Sequence, residues 1–219
     1  MGMIGSTGLP APEQEPKKRP VYVTGGVTIV AFVGLLYIVE AVDHAMNNRL
    51  DFDGIYPRQA DGLMGIIWAP FLHLGWPHLI ANTVPLLVLG FLMTLLGMAR
   101  FVAATAIIWI VGGFGTWVIA PSGPVIGASG VIMGYLTFLI VFGFFTRSLW
   151  QIIVGVAVFL YYGTVLLGVF PFFTGPSVSW QGHLCGAIAG LLAAYLLSSP
   201  ERKQRELRRH KELPPSLTS

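Results

Sequence analysis

A serine set between small residues could act as a nucleophile in this sequence. Ser129 lies in the stretch Gly-Ala-Ser-Gly at 127–130, where a Pro- and Gly-containing loop gives way to a long apolar run. A hydroxyl at the mouth of an apolar helix either bonds a carbonyl one turn back or serves as a nucleophile. Because hydroxyl and small residues are common at helix contacts in membranes, Ser129 alone favours the structural role. A catalytic role requires a base and oxyanion donors from elsewhere in the chain.

Three other polar side chains could supply the base and the donors. His78 and Asn82 are four residues apart, so they share one face of a helix. His183 begins another apolar segment, in which Gly186 and Gly190 have the spacing typical of close helix contacts in membranes. If that segment packs closely against the serine helix, its imidazole comes within hydrogen-bond reach of the hydroxyl. Such a pair is the nucleophile and base that acyl transfer requires.

The composition predicts what must position these groups. The chain has 219 residues, of which 54% are hydrophobic and 11% charged, whereas roughly a quarter of a soluble domain is charged. Apolar runs of about 20 residues recur and indicate helices that cross a membrane. We therefore predict an all-α, polytopic membrane protein. Its six predicted spans are 21–41, 78–97, 101–119, 127–145, 149–169 and 182–198.

The distribution of basic residues predicts the orientation of these spans. Eleven of the thirteen Lys and Arg fall in the two tails and in the turns after spans 2 and 4. By the positive-inside rule, both termini are then cytoplasmic. We expect residues 1–20 to form a disordered cytoplasmic N-tail, 21–199 a six-span domain and 200–219 a charged cytoplasmic C-tail. Spans 2, 4 and 6 all run inward from the outer face, which places their polar first residues at one level.

The inventory of acidic residues limits the chemistry of such a site. None of the ten Asp and Glu lies in spans 2, 4 or 6, so we expect a Ser–His dyad without a buried carboxylate. An intramembrane aspartyl mechanism lacks its two carboxylates, and a His-Glu-x-x-His zinc motif is absent. We expect no metal and no cofactor. We also expect no nucleic-acid partner, because the basic residues flank the membrane and form no patch with interleaved aromatics.

A tetrahedral intermediate needs donors for its oxyanion, each worth about 3–4 kcal/mol when preorganised. The candidates are the backbone N–H of Ser129, at a helix N-terminus, and the side chains of His78 and Asn82. Gly127 would let a substrate backbone approach without a side chain in the way. The predicted site therefore consists of Ser129, His183, His78, Asn82 and Gly127.

At these residues the chain resembles the rhomboid family of intramembrane serine proteases, of the six-span prokaryotic type. The resemblance covers about residues 68–190 and rests on the order, spacing and span placement of three motifs. These are His73-x4-His78-x3-Asn82, Gly127-Ala128-Ser129-Gly130 and His183-x2-Gly186-x3-Gly190.

The resemblance implies a role for each residue of the predicted site. It implies Ser129 as nucleophile and His183 as general base and then acid, with His78, Asn82 and the Ser129 amide as oxyanion donors. It further implies a half-submerged loop after span 1, and a movable span 5 with an outer cap as substrate gate. The implied substrates are single-span or polytopic membrane proteins, cleaved in the bilayer of the cell membrane at a site that opens to the extracytoplasmic side.

Three positions depart from the family pattern. The Trp-Arg pair often seen in the first loop is missing. Met133 stands where an aromatic residue often stacks on the catalytic histidine, and it could offer a sulfur–ring contact instead. Gly182 replaces the alanine common before His183. None of these changes removes a catalytic group.

Two other classes of function compete with a protease. A catalytically silent rhomboid-like protein would bind transmembrane helices without cutting them, but the presence of both Ser129 and His183 argues against it. A small-solute transporter or channel would need charged or ion-coordinating residues along a path through the bilayer. The inner halves of the predicted spans are almost wholly apolar, which argues against transport.

Overall fold

A computed structural model describes residues 19–212 of the chain. Nearly all of the predicted N-tail, and the last seven residues of the predicted C-tail, lie outside this range. The α-helices within it are α1 (Val21–Ala45), α2 (Gly65–Trp68), α3 (Trp76–Leu95), α4 (Met98–Ile119), α5 (Ser129–Thr146), α6 (Leu149–Tyr162), α7 (Trp180–Leu197) and α8 (Ser199–Glu212). Six helical segments are long and apolar enough to cross a membrane. The prediction of an all-α, six-span fold is confirmed.

The ends of the spans differ from the prediction by a few residues, and the differences have local causes. The first helix continues to Ala45. Near this end Asp43, which is 3% exposed, accepts a hydrogen bond of 2.7 Å from the N–H of Leu50, which ties the following loop to the last turn of the helix. The second spanning helix begins at Trp76, where Gly75 has a φ of +79° and a proline follows at the first turn. The fifth span changes at Gly163 from α-helix to a 3₁₀-helix that ends at Val169.

Helix α5 lies at the centre of the bundle and packs against α7, α6, α3 and α4. Its contact with α7 is backbone to backbone. A Cβ atom at Gly186 would overlap the carbonyl oxygen of Gly130, and one at Gly190 would overlap the carbonyl oxygen of Gly134. The small-residue contact predicted between spans 4 and 6 is therefore confirmed. It brings together the N-terminal ends of the helices that carry Ser129 and His183.

The connection between α1 and α3 folds over the C-terminal half of α4 as a series of short helical turns. Three side chains fasten it there without the Trp-Arg pair of the family. The indole of Trp109 donates to the Ile66 carbonyl at 2.5 Å, that of Trp117 donates to the Gln59 carbonyl at 2.8 Å, and Arg58 donates to carbonyls at the end of α4. The connection thereby becomes a fixed wall beside the α4–α5 loop.

The charged tail begins as a helix that packs on the end of the bundle opposite Ser129. Arg100, at the start of α4, forms an ion pair with Glu201 of α8. Arg205 donates a hydrogen bond of 2.9 Å to the carbonyl of Phe145, in the last turn of α5. Cations at the C-terminal end of a helix are favoured by its dipole. These contacts connect α8 to both α4 and α5, far from the polar residues at the other end of the bundle.

Candidate active site

The loop before Ser129 is shaped by a glycine that no other residue could replace without strain. Gly127 has a φ of +120°, and a Cβ atom there would lie 2.7 Å from Cε1 of His78. Its N–H donates a hydrogen bond of 2.8 Å to the carbonyl of Ala69, in the α1–α3 connection. Ser129 then begins α5, so its own N–H is one of the free donors at a helix N-terminus. The loop thus presents a hydroxyl and an amide at the same point.

His78 faces this loop in a defined tautomer. Its Nδ1 accepts a hydrogen bond of 3.3 Å from the N–H of Leu74, so the proton of the neutral ring is on Nε2. Nε2 lies 3.0 Å from the position that a Cβ atom would take at Gly127. The imidazole and Ser129 also line the same cavity. His78 therefore offers an N–H donor beside the nucleophile, as an oxyanion hole requires.

Asn82 lies one turn deeper on the same helix face. Its side chain is 6% exposed, and Nδ2 of its amide has no hydrogen-bond partner among residues 19–212. An amide donor that is buried without a partner costs roughly 1–3 kcal/mol, and a negatively charged acceptor would recover more than that. Asn82 is thus an unused donor on the same face as His78.

His183 is held in the tautomer that a general base needs. Its Nδ1 lies 3.0 Å from the carbonyl oxygen of Gly168. A carbonyl can only accept, so this bond places the proton on Nδ1 and leaves a lone pair on Nε2. The side chain is 9% exposed, and Nε2 has no partner in the described part of the chain. Nε2 is therefore free to take a proton from a nucleophile.

The direct Ser129–His183 hydrogen bond, expected from the close packing of the two helices, is not formed in this structure. The helices themselves are as close as predicted, since a Cβ atom at Gly130 would lie 3.3 Å from the carbonyl oxygen of Gly182. Catalytic hydrogen bonds are often long or misaligned without substrate and tighten in the reacting complex. The Ser129 hydroxyl can change its direction by rotation about the Cα–Cβ bond alone.

Gly168 is the residue at the site that the sequence analysis missed. Its carbonyl orients His183, a task that a carboxylate performs in catalytic triads. A Cβ atom at Gly168 would lie 2.9 Å from Nδ1 of His183 and 3.1 Å from the terminal methyl of Met133. Met133, which stands where an aromatic residue is common in the family, and His183 therefore both lie against Gly168. Because any residue has a backbone carbonyl, no feature of the sequence marks this contact.

Ser129 opens into a cavity of about 50 Å³ between α4, the α4–α5 loop and the start of α7. His78 and Gly127 also line it, together with small residues of α4 and α7. Beyond it lies a wider, partly polar cleft of about 410 Å³ between the α4–α5 loop and the segment before α7. Five residues line both spaces, so the cavity and the cleft adjoin each other. They are Val125, Ile126, Ser177, Val178 and Ser179.

Within residues 19–212, no three His, Cys, Asp or Glu are grouped so as to hold a metal ion. A comparison with known protein families also bears on this geometry. A family model described as the rhomboid domain matches residues 60–200, which include every residue of this candidate site. The chain belongs to the rhomboid family. With its six apolar helices, this rhomboid is a multi-pass membrane protein.

Relatives of this rhomboid occur in bacteria and in a protozoan parasite. It is 57% identical over 211 residues to an uncharacterised protein of Mycobacterium tuberculosis, covering 93% of this chain and 88% of that protein. It is 53% identical over 204 residues to an uncharacterised protein of Mycobacterium leprae, covering 90% and 81%. With a Toxoplasma gondii protein named rhomboid-like protease 5 it shares 35% identity over 140 residues, or 59% of this chain and 16% of that protein.

Proposed function

We propose that this rhomboid is an intramembrane serine endopeptidase that uses a Ser129–His183 dyad. The observation that carries the proposal is the state of His183, whose Nδ1 is bonded to the Gly168 carbonyl while Nε2 is buried and unpartnered. The base stands at the end of α7 that packs on the first turn of the serine helix. The name of the Toxoplasma relative supports the same chemistry.

The proposed reaction follows the usual steps of acyl transfer. Oγ of Ser129 attacks the peptide carbonyl carbon while Nε2 of His183 takes the hydroxyl proton. The carbonyl oxygen becomes an oxyanion, which accepts hydrogen bonds from the Ser129 amide and the side chains of His78 and Asn82. The C–N bond then breaks, and the imidazolium returns its proton to the leaving amine. Water, activated by the same histidine, hydrolyses the acyl-enzyme and restores the serine.

The proposed substrates are single-span or polytopic membrane proteins, cut near the outer leaflet. The positive-inside count places both termini in the cytoplasm and the N-terminal ends of α3, α5 and α7 on the outer side. The partly polar cleft that adjoins the cavity supports this proposal, because hydrolysis needs water. A scissile carbonyl in a transmembrane helix must leave its intrahelical bond before it can be attacked. Residues that destabilise the substrate helix should therefore favour cleavage.

A pair of matched reporters tests the proposal. The purified protein is reconstituted into liposomes with a single-span reporter that has two glycines in the outer third of its helix. A second reporter has leucines at those positions. We expect mass spectrometry to show a cut in the outer third, with the leucine reporter cleaved about ten-fold more slowly. If folded protein binds both reporters and cuts neither, the silent helix-binding alternative is correct.

A further inference from the structure

His73 is a buried histidine that the proposed mechanism does not use. It lies in the α1–α3 connection, just before α3, and is only 1% exposed. Its ring packs edge-on against that of His78, with the ring centres 5.2 Å apart. Burying an imidazole this completely is costly unless its polar atoms do something useful. The backbone group that His73 contacts across the loop indicates the role of its polar atoms.

His73 accepts a hydrogen bond from the backbone beside the nucleophile. Its Nε2 lies 3.5 Å from the N–H of Ala128, a residue that is 1% exposed. In the described part of the chain this N–H has no backbone acceptor, so the imidazole is its only partner. Nearly all buried backbone N–H groups are paired in native proteins. Without His73, the amide immediately before Ser129 would be buried and unsatisfied.

The environment keeps the imidazole in the form that can accept. Burial, followed by the nearby His78, lowers the pKa of His73 to about 4. The Phe71 carbonyl opposes this shift but stands outside hydrogen-bonding geometry to Nδ1. At neutral pH the ring is therefore uncharged, and Nε2 has a lone pair to offer the Ala128 N–H.

We propose that His73 is a positioning residue for the oxyanion hole, which fixes the Ser129 amide and the His78 imidazole relative to each other. One contact holds the Ala128 N–H, and the other holds the ring of His78. The Ala69 carbonyl, four residues earlier in the same connection, holds the Gly127 N–H at 2.8 Å. The α1–α3 connection thus accepts hydrogen bonds from two successive amides of the loop before Ser129. This inference rests on the proposed function, because the geometry matters only if an oxyanion forms.

A substitution that keeps a hydrogen-bond acceptor at position 73 distinguishes a positioning role from a packing role. In His73→Leu the Ala128 N–H loses its partner, while in His73→Gln the side-chain carbonyl can replace it. We expect the Leu variant to lower kcat of reporter cleavage about 10–100-fold with KM within about three-fold, because the oxyanion exists only in the transition state. The Gln variant should recover to within about five-fold of wild type. His44→Leu, which removes an exposed histidine of α1, is the control and should have no effect.

A second readout does not depend on catalysis. Amide hydrogen exchange of the peptide covering residues 125–130 should be faster in His73→Leu than in wild type and near wild type in His73→Gln. The inference is overturned if the two variants exchange alike, or if they lower kcat equally with equal losses of Tm. If wild-type protein cleaves no reporter, the proposed function fails, while the exchange rates still decide whether His73 holds the loop.

Discussion

Replacing Ser129 with alanine is expected to reduce cleavage of the glycine reporter by at least about 10³-fold and to leave the protein folded. The side chain is the proposed nucleophile, and no other group in the mechanism can form the acyl-enzyme. Ser129 makes no side-chain hydrogen bond to another described residue, so its hydroxyl contributes little to stability. Cleavage rates in liposomes and Tm in detergent measure the two effects separately.

His183→Ala should cause a loss of similar size, and the double variant should be no slower than either single variant. Groups that act as one unit are not additive, because removing either partner disables the other. Ser177→Ala is the control. This exposed serine lines the same cavity, but no basic side chain in the described part of the chain is paired with its hydroxyl. Cleavage retained in Ser129→Ala, or a comparable loss in Ser177→Ala, would contradict the assignment of the nucleophile.

Gly186→Val should destabilise the protein more than any other glycine substitution discussed here, and should also abolish cleavage. A Cβ atom at Gly186 meets the backbone of Gly130, which cannot move aside as a flexible side chain could. Overpacking of this kind costs about 1–3 kcal/mol or more. That corresponds to a Tm lowered by roughly 2–12 °C for a domain of this size. The separated helices would also carry His183 away from Ser129.

Gly34→Val is the matched control for this substitution. Gly34 lies in α1, is exposed, and would have no atom within 4 Å of an added Cβ. The two variants therefore share the intrinsic effect of valine in a helix and differ only in the helix contact. Thermal unfolding followed in detergent compares them directly. Equal Tm values for the two variants would show that the contact between α5 and α7 is looser than the structure indicates.

The spans could be predicted, and the polar side chains of the candidate site could be singled out, because residue type alone carries their signal. An apolar run of about 20 residues fits only a few environments, and a serine or histidine within one is conspicuous. The glycine spacing in α7 also predicted a close contact with α5, since only glycine permits two backbones to meet. The spacing of the glycines could not predict that Gly186 pairs with Gly130, because sliding one helix along the other gives several alignments with the same small-residue spacing.

The contacts that orient the site could not be predicted, because their partners are backbone atoms. The carbonyl of Gly168 fixes the tautomer of His183, and the N–H of Ala128 meets His73 across the loop. Both groups occur in almost every residue, so only the fold reveals which of them is used. The anchors of the α1–α3 connection are similar, since the indole of Trp109 bonds to a carbonyl and not to a side chain.

Labelling with a fluorophosphonate probe tests the central claim most directly, because the probe reacts with serines that are activated by a base. The purified protein is labelled in detergent and the modified residue is mapped by mass spectrometry. We expect an adduct on Ser129 that is absent in Ser129→Ala and in His183→Ala. No adduct on folded wild-type protein, or an adduct that persists in His183→Ala, would contradict an activated Ser129–His183 dyad.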